Sequence, residues 1–456
     1  MIFFRRLTDN AIFRYFGQFR YNARLFLLST VISGITFSGF QLFFNIYLRS
    51  RGYDLDFIGL LNAIPSGAAL LVGVPMGIVS DRIGRKRAML IGLSAATLAA
   101  WALISTTTPG LMVAMSAVMG VANSLYFLSM APFMMRASGE KERTLLFSLN
   151  FGLMTISGAV GNLLAGQLPA WFGAWLGVGA ESAGAYQAVL VASILSGGLA
   201  LVPVWLIREA RWPGPRREPA IGFEDFRRLI RPRVLQLAAP NFIIGFGAAI
   251  LIPYLNLFFK GRFAISDAQL GVLFSLSATL TGVATVIGPR LAERLGSKIN
   301  AVVFTQGASV VLLILMGFAP AFWLSGLAFL LRGALMNMSS PLYSAFTMEQ
   351  TPERERGAVN SVTQLMWEVG WTVGPYLSGV VQARYGFSPL FVATAILYAL
   401  AVALTWLFFH NVERGAEREV EILTAPAGVE AEANELIEEF EAEGLPSLEK
   451  QMSHAE

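Results

Sequence analysis

Long stretches of this chain carry no charge. Leu25–Leu48 and Phe57–Ser80 are 24 residues each, Ala88–Met135 is 48 and Thr144–Ala180 is 37. Ser182–Ile207 and Val234–Phe259 are 26 each, and Ala268–Pro289 is 22. A helix crossing a bilayer needs about 20 apolar residues, a length that soluble core helices rarely reach. A membrane β-barrel would alternate apolar and polar positions, which these runs do not. The pattern predicts an all-α polytopic membrane protein. Pro and Gly clusters divide the longer runs, at Thr108-Pro109-Gly110 and again near Pro320. Twelve spans fit, at 25–48, 57–80, 88–106, 111–135, 145–170, 185–207, 234–259, 268–290, 299–318, 321–348, 358–383 and 388–410.

Charge then sets the expected orientation, because cytoplasmic loops collect Lys and Arg. Of the 34 basic residues, 28 fall on one side of the twelve-span arrangement and five on the other; Arg332 lies within a span. The expectation is a multi-pass protein of the cell membrane with both termini cytoplasmic. Its segments are a basic amphipathic N-terminus (1–24), a first six-helix bundle (25–207), a basic linker (208–233), a second bundle (234–410) and an acidic tail (411–456). The N-terminal segment lacks the small-residue cleavage site of a signal peptide and reads as an in-plane amphipathic helix or a basic flank. The tail holds 13 acids against three bases and reads as a solvated extension.

Composition narrows the chemistry. Mean hydropathy is +0.58 and only 14% of residues are charged, against about 25% in soluble proteins. There is no cysteine, and the two histidines are His410 and His454. Disulfides, thiolate catalysis and a metal cluster are therefore not expected, and no cofactor is. There is no nucleophile–base constellation and no phosphate-cradling G-x-x-x-x-G-K-[ST], so an enzyme and an ATP-driven pump are both disfavoured. The basic pI of 9.4 reflects membrane-surface anchoring rather than nucleic-acid binding.

The chain also repeats itself. Gly59 and Gly271 are 212 residues apart, and Asp81-Arg82-Ile83-Gly84-Arg85-Lys86 matches Glu293-Arg294-Leu295-Gly296-Ser297-Lys298 at the same offset. Glu140-Lys141-Glu142-Arg143 matches Glu353-Arg354-Glu355-Arg356 at 213, as do Gly161 and Gly166 with Gly374 and Gly379. Two six-helix bundles related by a parallel repeat are an architecture of secondary transporters.

The stretch Gly77-Ile-Val-Ser-Asp81-Arg82-Ile-Gly84-Arg85-Lys86 resembles the G-x-x-x-D-R-x-G-R-K motif of the major facilitator superfamily (MFS), between spans 2 and 3 where that family places it. The resemblance covers about residues 25–410. It implies the MFS fold, with twelve helices in two pseudo-twofold-related bundles, a central cavity and alternating access. It also implies that Asp81 and its neighbouring cations close the cytoplasmic side against the start of span 11, and part in the inward-open state. Topology alone accounts for Arg85, Lys86 and Arg87; it does not account for Asp81, whose carboxylate suits a helix N-terminus or an arginine across the interface.

Two charges are expected deep in the membrane. Arg332 lies 11 residues into span 10 and Glu368 11 residues into span 11, each about 17 Å from its starting face at 1.5 Å per residue. Intramembrane charges are costly and usually functional. The two either lock spans 10 and 11 as an ion pair or form a transport site, with Glu368 as proton or cation site and Arg332 as counter-charge or anion binder. A movement that separates them would change the carboxylate's proton affinity. Arg332-Gly333 resembles the arginine motif that some family members carry on helix 4, where this chain has Gly120. Trp367 and Trp371 share a helix face and suit either ligand stacking or packing. Gly370-x-x-x-Gly374-Pro375-x-x-Ser378-Gly379 resembles the antiporter motif that drug exporters carry on helix 5; helix 5 here has Gly161-Asn162. Gln41, Asn45, Asn123, Tyr126, Asn241, Asn256, Asn337 and Tyr343 are further cavity-lining candidates.

The expected function is a secondary transporter of a small molecule, monomeric, proton-coupled, and leaning to efflux of amphipathic or aromatic compounds. The alternatives are an uptake symporter for a sugar-like or organic-anion solute and, from another class, a passive channel or lipid scramblase.

Overall fold

A computed structural model describes residues 19–208, 231–352 and 355–412. Most of the N-terminal segment, of the basic linker and of the acidic tail lies outside the described residues. The described chain is helical, with no strand. The first bundle comprises α1 (Tyr21–Ser50), α2 (Leu55–Ile83), α3 (Arg85–Ser105), α4 (Pro109–Ala137), α5 (Glu140–Leu176) and α6 (Ala183–Leu199, continued by Leu201–Leu206). The second comprises α7 (Pro232–Ala249, then Leu255–Phe263), α8 (Asp267–Arg294), α9 (Lys298–Phe318), α10 (Phe322–Glu349), α11 (Arg356–Tyr385) and α12 (Ser388–Phe409).

Short connections make consecutive helices antiparallel. Gly84 alone separates α2 from α3, and it adopts φ +92°, where a side chain would be strained. Its repeat partner Gly296 also has positive φ, +69°. The repeat read from the letters is thus a repeat of backbone geometry. Helix starts follow local chemistry too: Ser266 and Gln269 form a reciprocal capping box at α8.

Ten of the described helices are long and apolar enough to cross a membrane. The two left out by that measure, α10 and α11, carry Arg332 and Glu368. They complete the bundles through packing: α10 lies against α8 and α9, and α11 against α2 and α7.

The three largest parts of the core define the shape. The face that carries the Gly84 and Gly296 turns is here called the basic face, and the opposite one the far face. Toward the far face a single hydrophobic cluster joins the two bundles, with Phe43, Tyr186 and Leu190 from one and Phe258, Phe329 and Phe391 from the other. Toward the basic face the core divides. One cluster holds Phe26, Met89, Phe133 and Val204; another holds Leu237, Ile299, Phe346 and Phe409. The bundles are welded at the far face and parted at the basic face, which leaves a cleft between them.

Candidate functional site

Two helix pairs form the seam. On one side α2 meets α11: a Cβ added at Gly59 would lie 2.6 Å from the Pro375 carbonyl, and Gly379 abuts the Leu55 carbonyl. On the other α5 meets α8: a Cβ at Gly271 would lie 2.6 Å from the Asn162 carbonyl and one at Gly166 2.9 Å from that of Asp267. Only glycine permits such backbone approach. The α2–α11 contact runs inward to Gly67, where an added Cβ would touch the Thr372 methyl at 3.0 Å. There it stops. Leu71, Val74 and Ile78 continue the α2 face that bears Gly59 and Gly67, yet they are 82%, 76% and 46% exposed.

Glu368 sits one turn to the basic side of Thr372, at the head of the cleft. It belongs to a polar stripe of α11 made by Ser361, Gln364, Glu368 and Thr372. Gln364 Nε2 donates to Glu368 Oε1 at 3.3 Å, and the Thr372 hydroxyl donates to the Glu368 carbonyl at 2.8 Å. Glu368 is half-buried, and among the described residues no cation pairs with it. Trp367 packs on Gly245 of α7, and its ring stacks on Trp371 at 6.4 Å and 30°. The Trp371 indole N–H is buried without a hydrogen-bond partner.

Arg332 lies elsewhere. Only 4% exposed, it points into the second bundle and donates from Nη2 to the Tyr398 hydroxyl of α12 at 2.8 Å. Its guanidinium also lies 5.5 Å from the centre of the Tyr398 ring. The ion pair with Glu368 is not formed in this structure. The reason is angular: Arg332 projects from the α10 face turned to α12, and Glu368 from the α11 face turned to the cleft. Burial also keeps Arg332 from any solute in the cleft.

The other expected lining residues divide in the same way. Gln41 and Asn337 are exposed, and Asn123 and Asn241 half-buried. Tyr126 is instead packed within the first bundle, close to Gly92, and is 7% exposed. Tyr343 is 8% exposed and donates its hydroxyl to the Leu237 carbonyl at 2.8 Å. Asn45 and Asn256 are each 3% exposed and lie in the far-face closure. These four do not line the cleft, because each amide or phenol is turned into helix–helix contact.

In the motif turn, Asp81 at the end of α2 forms an ion pair with Arg85, four residues on across the Gly84 turn at the start of α3. Arg85 also donates to Ser80 at 2.7 Å, and Ser80 bonds Ser129 of α4. A Cβ added at Gly77 would meet nothing within 4 Å. Lys86 lies in the same turn, as does Arg82, which is exposed.

The hydropathy pattern passes over one cluster altogether. Lys260 of α7 bridges Asp267 of α8 and, at 2.9 Å, Glu181 of the α5–α6 loop. The Tyr186 hydroxyl of α6 donates to Asp267 at 3.1 Å. Asp267 is 7% exposed, so this is a buried acid spanning the two bundles. The Ser266–Gln269 capping box marks the start of α8 in the sequence and, with it, the helical position of Asp267.

Two six-helix bundles with a cleft closed at one face and open at the other define a membrane transporter. The sequence model of the Major Facilitator Superfamily matches residues 26–240 and, a second time, 237–433. The chain belongs to that family and is a multi-pass transporter of small molecules, not an enzyme. It is 24% identical over 276 residues to the multidrug resistance protein MdtG of Proteus mirabilis, covering 55% of this chain and 68% of that protein. Its fold is that of the nucleoside transporter NupG, with TM-score 0.67 and 15% identity over 85% of this chain and 98% of that one. A bacterial homologue of the lysosomal transporter Spinster, in an inward-facing and unoccupied conformation, matches at TM-score 0.68 and 15% identity over 86% of this chain and 96% of that one.

Proposed function

We propose that this protein is a proton-coupled exporter of amphipathic or aromatic compounds that works by alternating access as a monomer in the inner membrane, with the basic face cytoplasmic. The bias of 28 basic residues to five supports that orientation. The similarity to MdtG supports efflux.

One observation carries the coupling. Glu368 is an intramembrane carboxylate without a cationic partner among the described residues, placed where the cleft meets the closed seam. A carboxylate in that place takes up a proton from one side, and the rocking of α2 against α11 changes its surroundings. Trp367 and Trp371 offer aromatic surface on the same helix, and Gln41, Asn123, Asn241 and Asn337 are uncharged polar groups that packing leaves exposed or half-buried. Such a lining suits amphipathic solutes with few charges. Arg332, enclosed with Tyr398, is not available as an anion site, which disfavours organic-anion uptake.

Asp81 and Arg82, with Arg85 and Lys86, form the inner latch. In the present state Asp81 is engaged locally with Arg85; closing the cleft brings this turn to the start of α11.

The test is reconstitution in liposomes with an imposed pH gradient and a panel of amphipathic dyes. The wild-type protein drives uphill movement, and Glu368→Gln reduces it at least tenfold while downhill exchange persists. Uphill transport unchanged in Glu368→Gln overturns the coupling role. Flux indifferent to both gradient and substitution overturns the exporter in favour of a passive path.

A further inference from the structure

Polarity alone places Asn45 and Asn256 among the expected cavity residues. The structure puts them to another use. Asn45 Nδ2 of α1 donates to the Pro253 carbonyl of α7 at 2.6 Å. Asn256 Nδ2 of α7 donates to the Leu42 carbonyl of α1 at 2.7 Å. The two asparagines are 211 residues apart, and so are the two carbonyl residues. That is the spacing of the internal repeat to within a residue. The bonds are therefore one bond written twice, each half gripping the other about the pseudo-twofold axis.

The surroundings favour a working contact. α7 is interrupted between Ala249 and Leu255, which sets Pro253 in a 3-10 turn facing α1. α1 is continuous through Leu42. Asn62 Nδ2 of α2 holds the Asn45 side-chain oxygen at 2.8 Å, and the Leu257 N–H holds that of Asn256 at 2.8 Å. Both amides are thus fixed in rotamer with their N–H groups aimed across the interface. Gln41 lies one turn deeper than Asn45 on α1, exposed beneath the clasp.

We infer that Asn45 and Asn256 are a reciprocal clasp that holds the far-face gate shut, released as a pair when that gate opens. The inference rests on the alternating-access reading above. Paired donors across a pseudo-twofold axis suit a gate, because any rocking that separates the halves breaks both bonds in the same movement. Asn62 bonds only within its own bundle, to Asn45 and to the Ile58 carbonyl. It supplies an internal comparison.

The absence of native cysteine makes the test direct. Gln41→Cys is the sole thiol, and a membrane-impermeant maleimide added outside intact cells labels it only through the far face. A net amide–carbonyl hydrogen bond is worth about 1 kcal/mol, or about fivefold in a population. Asn45→Ala and Asn256→Ala are each expected to raise the labelling rate about fivefold, by equal amounts. The double variant is expected to raise it roughly 25-fold, and Asn62→Ala, which loosens the Asn45 rotamer but removes no bond between the bundles, less than either single variant. Shape-conserving Asn45→Leu and Asn256→Leu repeat the measurement where alanine impairs membrane insertion. A measurable wild-type rate that neither asparagine variant raises overturns the clasp and leaves alternating access standing. A reporter never labelled in any variant overturns alternating access and the clasp with it.

Discussion

The two seams of this transporter are built alike and charged differently. In both, glycines let a helix of one bundle lie backbone-to-backbone on a helix of the other: Gly59 and Gly379 between α2 and α11, Gly166 and Gly271 between α5 and α8. In both, the helix face beyond the contact stays bare toward the basic face: Val74 of α2 is 76% exposed and Val286 of α8, its repeat partner, 78%. The acids break the symmetry. The α2–α11 seam carries Glu368 on its open side. The position corresponding to it on α5, at an offset of 213, is Thr155. The α5–α8 seam carries Asp267 at its closed end, locked by Lys260 and Tyr186. Shape at the seams is shared by the two halves; chemistry is divided between them.

The sharing of shape predicts the largest effects. Valine at Gly379 or at Gly271 drives a branched side chain into a backbone carbonyl of the facing helix. Overpacking of this kind costs about 1–3 kcal/mol, or roughly 5- to 150-fold in the population of the closed far face. Both variants should therefore label quickly at a Gln41→Cys reporter and should transport poorly, to the same extent. Gly73→Val is the contrast, since an added Cβ there meets nothing within 4 Å. It should leave reporter labelling slow. Unequal effects at Gly379 and Gly271 would show that one seam alone holds the gate.

The division of chemistry predicts a middle effect. Asp267→Asn removes the charge that Lys260 balances while keeping the shape that Tyr186 contacts. Glu181 remains as a partner at 2.9 Å, but it is 67% exposed, and exposed pairs contribute less than about 1 kcal/mol. The loss from the buried pair should dominate, destabilising the far-face closure by about 1–3 kcal/mol. The measurement is thermal unfolding in detergent together with reporter labelling. Glu181→Gln should move either readout by less than half as much. A larger effect at Glu181 than at Asp267 would move the lock from the buried acid to the loop.

Most of the fold was legible in the sequence. Uncharged runs gave the spans, and the offset near 212 gave the halves down to the positive-φ glycines Gly84 and Gly296. The site was legible in part. Counting along the span put Glu368 deep within α11, because depth depends only on distance along one helix. It did not reveal that Arg332 turns to Tyr398, since which way a mid-helix side chain points depends on the neighbours that surround the helix. The same limit applies to Asn45, Asn256, Tyr126 and Tyr343: a polar residue in a span either faces water or bonds another helix, and the two look identical in the letters. Lys260 and Asp267 were hidden for another reason. Both sit at helix ends, where hydropathy reads a charge as loop.

The smallest predicted effect tests the comparison most sharply. Thr155 occupies on α5 the place of Glu368 on α11, and its hydroxyl donates to the Phe151 carbonyl of its own helix at 3.0 Å. Its methyl is the group that faces α8: a Cβ added at Gly282 would touch it at 3.2 Å. Thr155→Val keeps that methyl and removes a hydroxyl that serves only its own helix. If coupling resides in the α2–α11 seam alone, transport should stay within twofold of wild type and its dependence on the pH gradient should be unaltered. Glu368→Gln should abolish that dependence in the same assay. A Thr155→Val protein that loses gradient dependence would mean that the α5–α8 seam also conducts the coupling event, and that the division of chemistry between the seams is not the one drawn from their charges.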